Sequence, residues 1–270
     1  MTLSSLGSAV AQAEIGPAHF WQNKPASRQT DRVDWYGTSS FEEAANYARY
    51  GWKDGLKNLV SANLSLADLA EGHTALRSED RDVFGCRPDV ALYCAGAPDH
   101  MVVPGDRLGP SAPLVDMVVQ GSYSNNNEAE EIINHGAALA SLIDATESEG
   151  RRVQLTMAFG IVAGAFEFDV LIRIKQHSEP LDMDRLAFAL SNPSMFRRIV
   201  FSYIEQGQSA QWHNAFRHSY GQPKPYSKTG SEIIVPSLQH WQGDHDWSTP
   251  ESAFDTMKTA LTKELQGEAA

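Results

Sequence analysis

The segment 114–150 constrains the fold more than any other part of the chain. LVDMVVQ (114–120) is almost continuously apolar and of strand length, the pattern of a strand covered on both faces. The run stops at Gln120-Gly121 and SYSNN follows. NEAEEIINHGAALASLIDATESEG then shows helical periodicity, with Ile132, Ile133, Ala137, Leu139, Ala140 and Ile143 on one side. Asn127 is placed to cap this helix with Glu130 at its third position, and Glu128, Glu130 and Glu131 suit the positive end of the helix dipole. Gly150 ends it. RRVQLTMAFGIV resumes with period-two alternation, Val153, Leu155, Met157 and Phe159 against Gln154, Thr156 and Ala158. A strand, a crossover helix and a second strand make a right-handed parallel unit. The class is therefore α/β, with 113–120 expected at the centre of the sheet and 153–160 parallel beside it.

The remaining elements extend that unit. GAFEFDVLIRIKQ alternates again and makes an antiparallel hairpin with the preceding strand. EPLDMDRLAFALSNPSMFRRIVFSYIEQ reads as two helices broken at Asn192-Pro193. Residues 207–230 read as a long loop. SEIIVPSLQ reads as a buried strand tapering at Pro236, and Thr249-Pro250 opens a last helix. Upstream, residues 1–35 read as a poorly patterned, loosely docked arm. Ser40 and Glu43 form a capping-box pattern for a helix whose face is Phe41, Ala44, Ala45, Ala48 and Trp52. A second helical piece is expected over about 57–76, and DVALYC and HMVVPG read as short strands. The expected architecture is a mostly parallel sheet with one antiparallel hairpin and helices on both faces (111–270). It is preceded by a helical and extended extension (36–110) and the arm (1–35).

In this topology the strand SEIIVPSLQ returns beside 113–120 on its other flank. Open α/β sheets bind ligands at the carboxyl ends of strands where the order reverses. Those ends carry Gln120, Gly121, Ser122 and Ser124 on one side and Ser237, Gln239 and His240 on the other. Gln120, Ser122 and Ser124 are expected to line one shallow polar pocket with Ser237 or Gln239 opposite. The simpler reading is that these Ser and Asn side chains satisfy backbone amides at a helix start.

A strand ending in an S-x-S turn, a crossover helix, GRRVQLTMAF and an antiparallel partner resemble the first half of a von Willebrand factor A domain. The resemblance implies a D-x-S-x-S turn whose oxygens hold magnesium. Ser122 and Ser124 match its serines, but Gln120 stands where the acid belongs. A neutral amide offsets the dehydration of a hard cation poorly, so the implied site is degenerate and Gln120→Asp would restore it. WYGTSSFEEAANYARYGW, PDVALYCAGAPDHMV and EPLDMDRLAFALSNPSMFRR are similar to segments of an uncharacterised bacteriophage and prophage family. That resemblance implies a phage or prophage origin and no activity.

Charge and motifs narrow the function. The 270 residues carry 34 acids and 22 Lys or Arg, a net charge of −12, which repels phosphate backbones; Arg197-Arg198 and Arg217 are the only hints of a basic patch. No apolar run approaches the roughly 18–20 residues that span a bilayer. Cys86 and Cys94 read as reduced thiols of a cytoplasmic or virion protein. Nucleophile-elbow, P-loop and dinucleotide motifs are missing. His240, Asp244 and His245 are metal-ligand types at close spacing, but they lack a recognised zinc pattern. Asp116 and Asp169 fall inside strands, where an acid is an edge feature, a paired charge or a functional group. Trp35, Tyr36, Tyr50 and Trp52 read as core or as a stacking platform. The leading expectation is a non-catalytic binding or assembly module with a protein partner, capable of homo-oligomers and needing no cofactor. Its rival is a metal-dependent enzyme acting on nucleic acid or a phosphate substrate, with magnesium as the alternative cofactor.

Overall fold

In a computed structural model of the chain, the residues described are 1–16, 25–55, 57, 81–85, 87–102, 114–148, 151–207, 209–216, 219–227, 229–230, 232–235, 238 and 246–267. They begin with β1 (Thr2–Leu3), α1 (Leu6–Ala13), α2 (Val33–Tyr36) and α3 (Phe41–Tyr50). A small sheet follows, β2 (Arg81–Asp82), β3 (Arg87–Pro88), α4 (Val90–Cys94) and β4 (Met101–Val102). The α/β unit comprises β5 (Leu114–Gln120), α5 (Ala129–Ser148), β6 (Arg152–Ala163) and β7 (Phe166–Lys175). Then come α6 (Met183–Ser191), a π-helix (Met195–Val200), α7 (Phe201–Ile204) and α8 (Ala210–Ala215). The chain closes with β8 (Gln222–Pro223), β9 (Ile233–Val235) and α9 (Pro250–Gly267).

The main sheet is mixed and mostly parallel, in the order β1–β7–β6–β5–β9, with β8 on β6. β5 pairs parallel to β6 from Leu114↔Arg152 to Gln120↔Ala158, and parallel to β9 from Met117↔Ile233 to Val119↔Val235. The first strand is thus interior, with the returning strand on its other flank, as its apolar run requires. β6 and β7 form the antiparallel hairpin.

This register puts Val115, Met117 and Val119 on one face with Val153, Leu155, Met157, Phe159, Val170, Ile172, Ile233 and Val235. All belong to one core, which also takes in Leu139 and Ile143 of α5, Phe188 of α6, Val10 of α1 and Met257 of α9. Among the described residues the core helices gather on this face, in place of the two helical layers expected. On the opposite face Leu114 is 65% exposed. Asp116 also lies there, accepting from Gln154 Nε2 at 2.9 Å and facing His177 at 3.3 Å. β5 is therefore covered on both faces only at its carboxyl end, where Val118 and Gln120 are buried. Asp169 is an outward acid held by Lys224 at 2.8 Å.

Several local readings change. Residues 1–16 do not lie loose: Thr2 pairs with Leu171 in the sheet, and Ala9 and Val10 of α1 are fully buried. DVALYC forms α4 rather than a strand, because the Asp89 carboxylate accepts the Leu92 amide and its carbonyl accepts the Tyr93 amide, starting a helical turn. The expected loop 207–230 contains α8, capped by Ser209 through the Trp212 amide, and β8. The helix expected over 57–76 lies outside the described residues apart from position 57. The capping of α3 is as read, Ser40 accepting the Glu43 amide at 3.1 Å. Tyr36 is core, whereas Tyr50 is 75% exposed. No helix among the described residues is long and apolar enough to cross a membrane.

The inward and outward sides of β5 can be checked directly. Met117→Ala should destabilise the chain by about 2–5 kcal/mol in urea unfolding, the range for emptying a core site. Leu114→Ala should stay within about 0.5 kcal/mol. The reverse ranking would contradict the register.

Candidate functional site at the end of the first interior strand

Strand β5 stops where the Gly121 amide donates to the Ala158 carbonyl at 2.8 Å. A Cβ on Gly121 would come within 2.4 Å of the Phe159 ring, so only glycine lets that ring close over the strand end. The chain then turns back on itself. The Ser124 amide donates to Asn127 Oδ1 at 2.9 Å, and the Asn126 amide to Ser124 Oγ at 3.3 Å. Asn127 Nδ2 donates to Glu131 Oε2 at 3.1 Å and to the Leu238 carbonyl at 3.2 Å. Helix α5 starts at Ala129, and Glu131 accepts the Glu128 amide at 3.2 Å. The capping pair is therefore Glu128 and Glu131, one residue later than expected. Asn127 instead locks the turn and clips it to residue 238, beyond β9.

A buried cation holds the turn from below. Arg197 is only 2% exposed. Its guanidinium donates to the Trp35 carbonyl at 2.6 Å and, more weakly, to the carbonyls of Ser124 and Asn127 at 3.4 Å. It lies 4.3 Å from the Trp35 ring centre and 5.1 Å from that of Tyr123. Desolvation by burial lowers its pKa from the ordinary arginine value. Burial likewise raises that of the Tyr123 hydroxyl, which stays neutral and donates to the Pro193 carbonyl at 3.0 Å.

The neighbouring Arg198 is fully buried and ties down the N-terminal segment. Its Nε donates to Thr38 Oγ1 at 2.8 Å, Nη1 to the carbonyls of Ser27 at 3.0 Å and Gln29 at 2.8 Å, and Nη2 to that of Thr38 at 2.8 Å. Every one of these acceptors is a neutral oxygen. The same Ser27 gives its amide to the buried Glu205 at 2.9 Å and its hydroxyl to the other carboxylate oxygen. Tyr220 donates to Glu205 at 2.6 Å. Burial raises the Glu205 pKa from the usual carboxylate value, against the lowering effect of the Ser27 and Tyr220 hydrogen bonds. The Arg197-Arg198 pair is thus an internal fixture and no basic surface patch; Arg217 lies outside the described residues.

Beneath the turn is a cavity of about 10 Å³, bounded by Gln120, Gly121 and Tyr123 with apolar neighbours such as Met157, Phe159 and Phe196. It has room for about one water. Ser122 and Ser124 are not among its walls, so this cavity is not shared by the three polar residues. Gln120 Oε1 instead accepts the Tyr226 amide at 3.2 Å, from a strap that also gives its Lys224 amide to the Gly160 carbonyl at 3.0 Å. Gly160 permits this approach, since a Cβ there would sit 2.8 Å from Lys224. Ser122 is buried and Ser124 Oγ receives Asn126. Ser237, Gln239, His240, Asp244 and His245 lie outside the described residues, although Leu238 between them is buried against the core. Among the described residues, no group of three or more His, Cys, Asp or Glu is placed to hold a metal ion.

With this geometry in hand, comparison with known proteins gives one relation. A family model described as a domain of unknown function (DUF7192) matches residues 1–265, and the chain belongs to that family. No curated protein matches it. No solved structure matches it.

The roles of the turn residues are separable. Asn127→Ala should cost about 1–3 kcal/mol, because it leaves a buried amide and carbonyl without partners. Ser124→Ala should stay within about 0.5 kcal/mol in the same unfolding assay. Equal costs would show that the Asn127 lock is not what orders the turn.

Proposed function

We propose that this DUF7192 chain is a non-catalytic binding or assembly module on a von Willebrand A-like strand order, of phage or prophage origin. The observation that carries this reading is the way the described residues close on one another at the carboxyl end of β5. Its polar side chains serve the fold's own backbone, and the cavity below holds about one water, whereas small-molecule sites enclose about 300–1,000 Å³. What this end offers to a partner is its rim, where Asn125, Asn126 and Glu128 are exposed beside the half-buried Ser124. The strand order β7–β6–β5–β9, with its antiparallel member outermost in that series, supports the resemblance to the first half of a von Willebrand A domain. The degenerate metal turn does not carry over as a working site, because Gln120 engages the strap.

The test pairs a rim variant with a metal assay. Asn125→Arg with Asn126→Arg should leave the unfolding midpoint unchanged and abolish retention of a partner protein on the immobilised chain. Titration with magnesium, manganese or zinc should show no saturable binding, even in Gln120→Asp. Saturable metal binding coupled to cleavage of a model phosphodiester, lost in His240→Ala, would transfer the chain to the rival class of metal-dependent enzymes.

A further inference from the structure

We infer that Glu205 is a proton-binding site built into the fold. On folding, its carboxyl takes up a proton at Oε2, and the junction it holds becomes more stable as the medium turns mildly acidic. Glu205 directly follows α7 and is fully buried. Three donors from two other parts of the chain converge on it. The Ser27 amide at 2.9 Å and the Tyr220 hydroxyl at 2.6 Å meet Oε1, and the Ser27 hydroxyl meets Oε2.

The two carboxyl oxygens are unlike. Oε1 can only accept: the Ser27 amide hydrogen is fixed, and the Tyr220 hydroxyl already accepts the Ala26 amide at 2.9 Å, which leaves its own hydrogen for Oε1. The Tyr220 ring is held in place by stacking on Phe201, with centres 4.1 Å apart. The hydrogen-bond partner of Oε2 is a hydroxyl, which donates or accepts after rotation about one bond. A proton on Oε2 therefore fits the same network once Ser27 Oγ turns from donor to acceptor, and no heavy atom has to move.

The surroundings favour the neutral acid. Ser27 and Arg28 face the carboxyl from the N-terminal segment, Tyr36 from α2 and Tyr220 from the strap 219–227. Among the described residues Arg28 is the cation that acts on it, from beyond ion-pair distance; its guanidinium lies over the Phe41 ring and donates to the Ala13 carbonyl. Arg198, on the π-helix, donates to neutral oxygens, and α1 presents the neutral Gln12 to Gln206. Burial raises the hydroxyls of Tyr36 and Tyr220, so both remain uncharged. A carboxylate sealed in this way bears a desolvation cost that the acid escapes, and burial outweighs the hydrogen bonds and Arg28 in raising its pKa.

The sign follows from linkage. A carboxyl raised in the folded chain binds its proton more tightly there than in the unfolded chain. Its stabilising contribution is complete below the ordinary glutamate range and is lost as pH rises through the raised value. A carboxylate paired with a cation behaves in the opposite way.

The test compares the full chain with Glu205→Gln in urea unfolding, from neutral pH down to the ordinary glutamate range. The Gln amide mimics the protonated acid, with a carbonyl for the two fixed donors and an N–H for Ser27 Oγ. The folding constant of the native chain relative to Glu205→Gln should increase as pH falls, by up to about tenfold per pH unit. Carbon-13 NMR of the native chain, labelled at the glutamate carboxyls, reads the proton directly and does not depend on the variant folding. The Glu205 signal should titrate above the range of exposed glutamates. Parallel pH dependence of the two chains overturns the inference, and so does a Glu205 carboxyl that titrates within or below that range.

Discussion

A guanidinium group sealed in the interior without a contacting carboxylate among the described residues must find its compensation in neutral oxygens, and Arg198 finds four of them on the N-terminal segment. That requirement organises much of the molecule. The segment must pass over the π-helix with its carbonyls inward, which brings Ser27 to Glu205 and Tyr36 onto the Arg198 guanidinium at 4.3 Å. Arg197, one residue earlier on the same helix, holds the Trp35 carbonyl of that segment and also reaches the turn after β5. The π-helical winding presents two consecutive arginines to the N-terminal segment and one of them to the turn as well, a local irregularity of the kind that recurs where helices do specialised work. Removing a partner from a buried charge is far costlier than never having buried it.

The same constraint orders the described residues at the strand end. Arg197 draws the carbonyls of Ser124 and Asn127 downward, and Tyr123 and Trp35 close around it. Phe196, on the same helix, stacks on Phe159 at 5.8 Å, and both rings line the small cavity beneath the turn. At the far end of the sheet a different device operates. Lys175 and Glu147, 4% and 5% exposed, meet at 2.6 Å and join the end of α5 to the β6–β7 pair. Polar locks thus sit at both ends of an otherwise apolar core.

Periodicity made the sheet legible. The apolar run of β5 and the alternation of β6 and β7 yielded the parallel pair, the hairpin and the returning strand, because side-chain period reports burial directly. It could not say that Leu114 and Asp116 face away from the helices, since a continuous apolar run hides which face is open. The DVALYC segment has β-prone residues, yet one Asp89 cap outweighs them. At the site, the serines and asparagines drew attention for a real reason, since they build the turn. Their convergence on one pocket was not encoded in their spacing, because the Gln120 side chain answers to a strap more than a hundred residues away in sequence. Arg197-Arg198, which read in sequence as a hint of a basic patch, lie inside the apolar stretch MFRRIVFSYIE, followed by Glu205. Charges at positions that periodicity assigns to a core imply buried partners, although sequence alone does not reveal which.

The central claim is that the buried arginine pair binds the N-terminal segment and the turn to the core. Its most direct test is the urea stability of Arg198→Ala with hydrogen exchange read in parallel. The expected result is a loss of about 3 kcal/mol or more, since several charge-assisted hydrogen bonds disappear together. Protection should fall first over 25–38 while the β6 amides keep theirs. A loss under about 1 kcal/mol, with protection of 25–38 unchanged, would contradict the account.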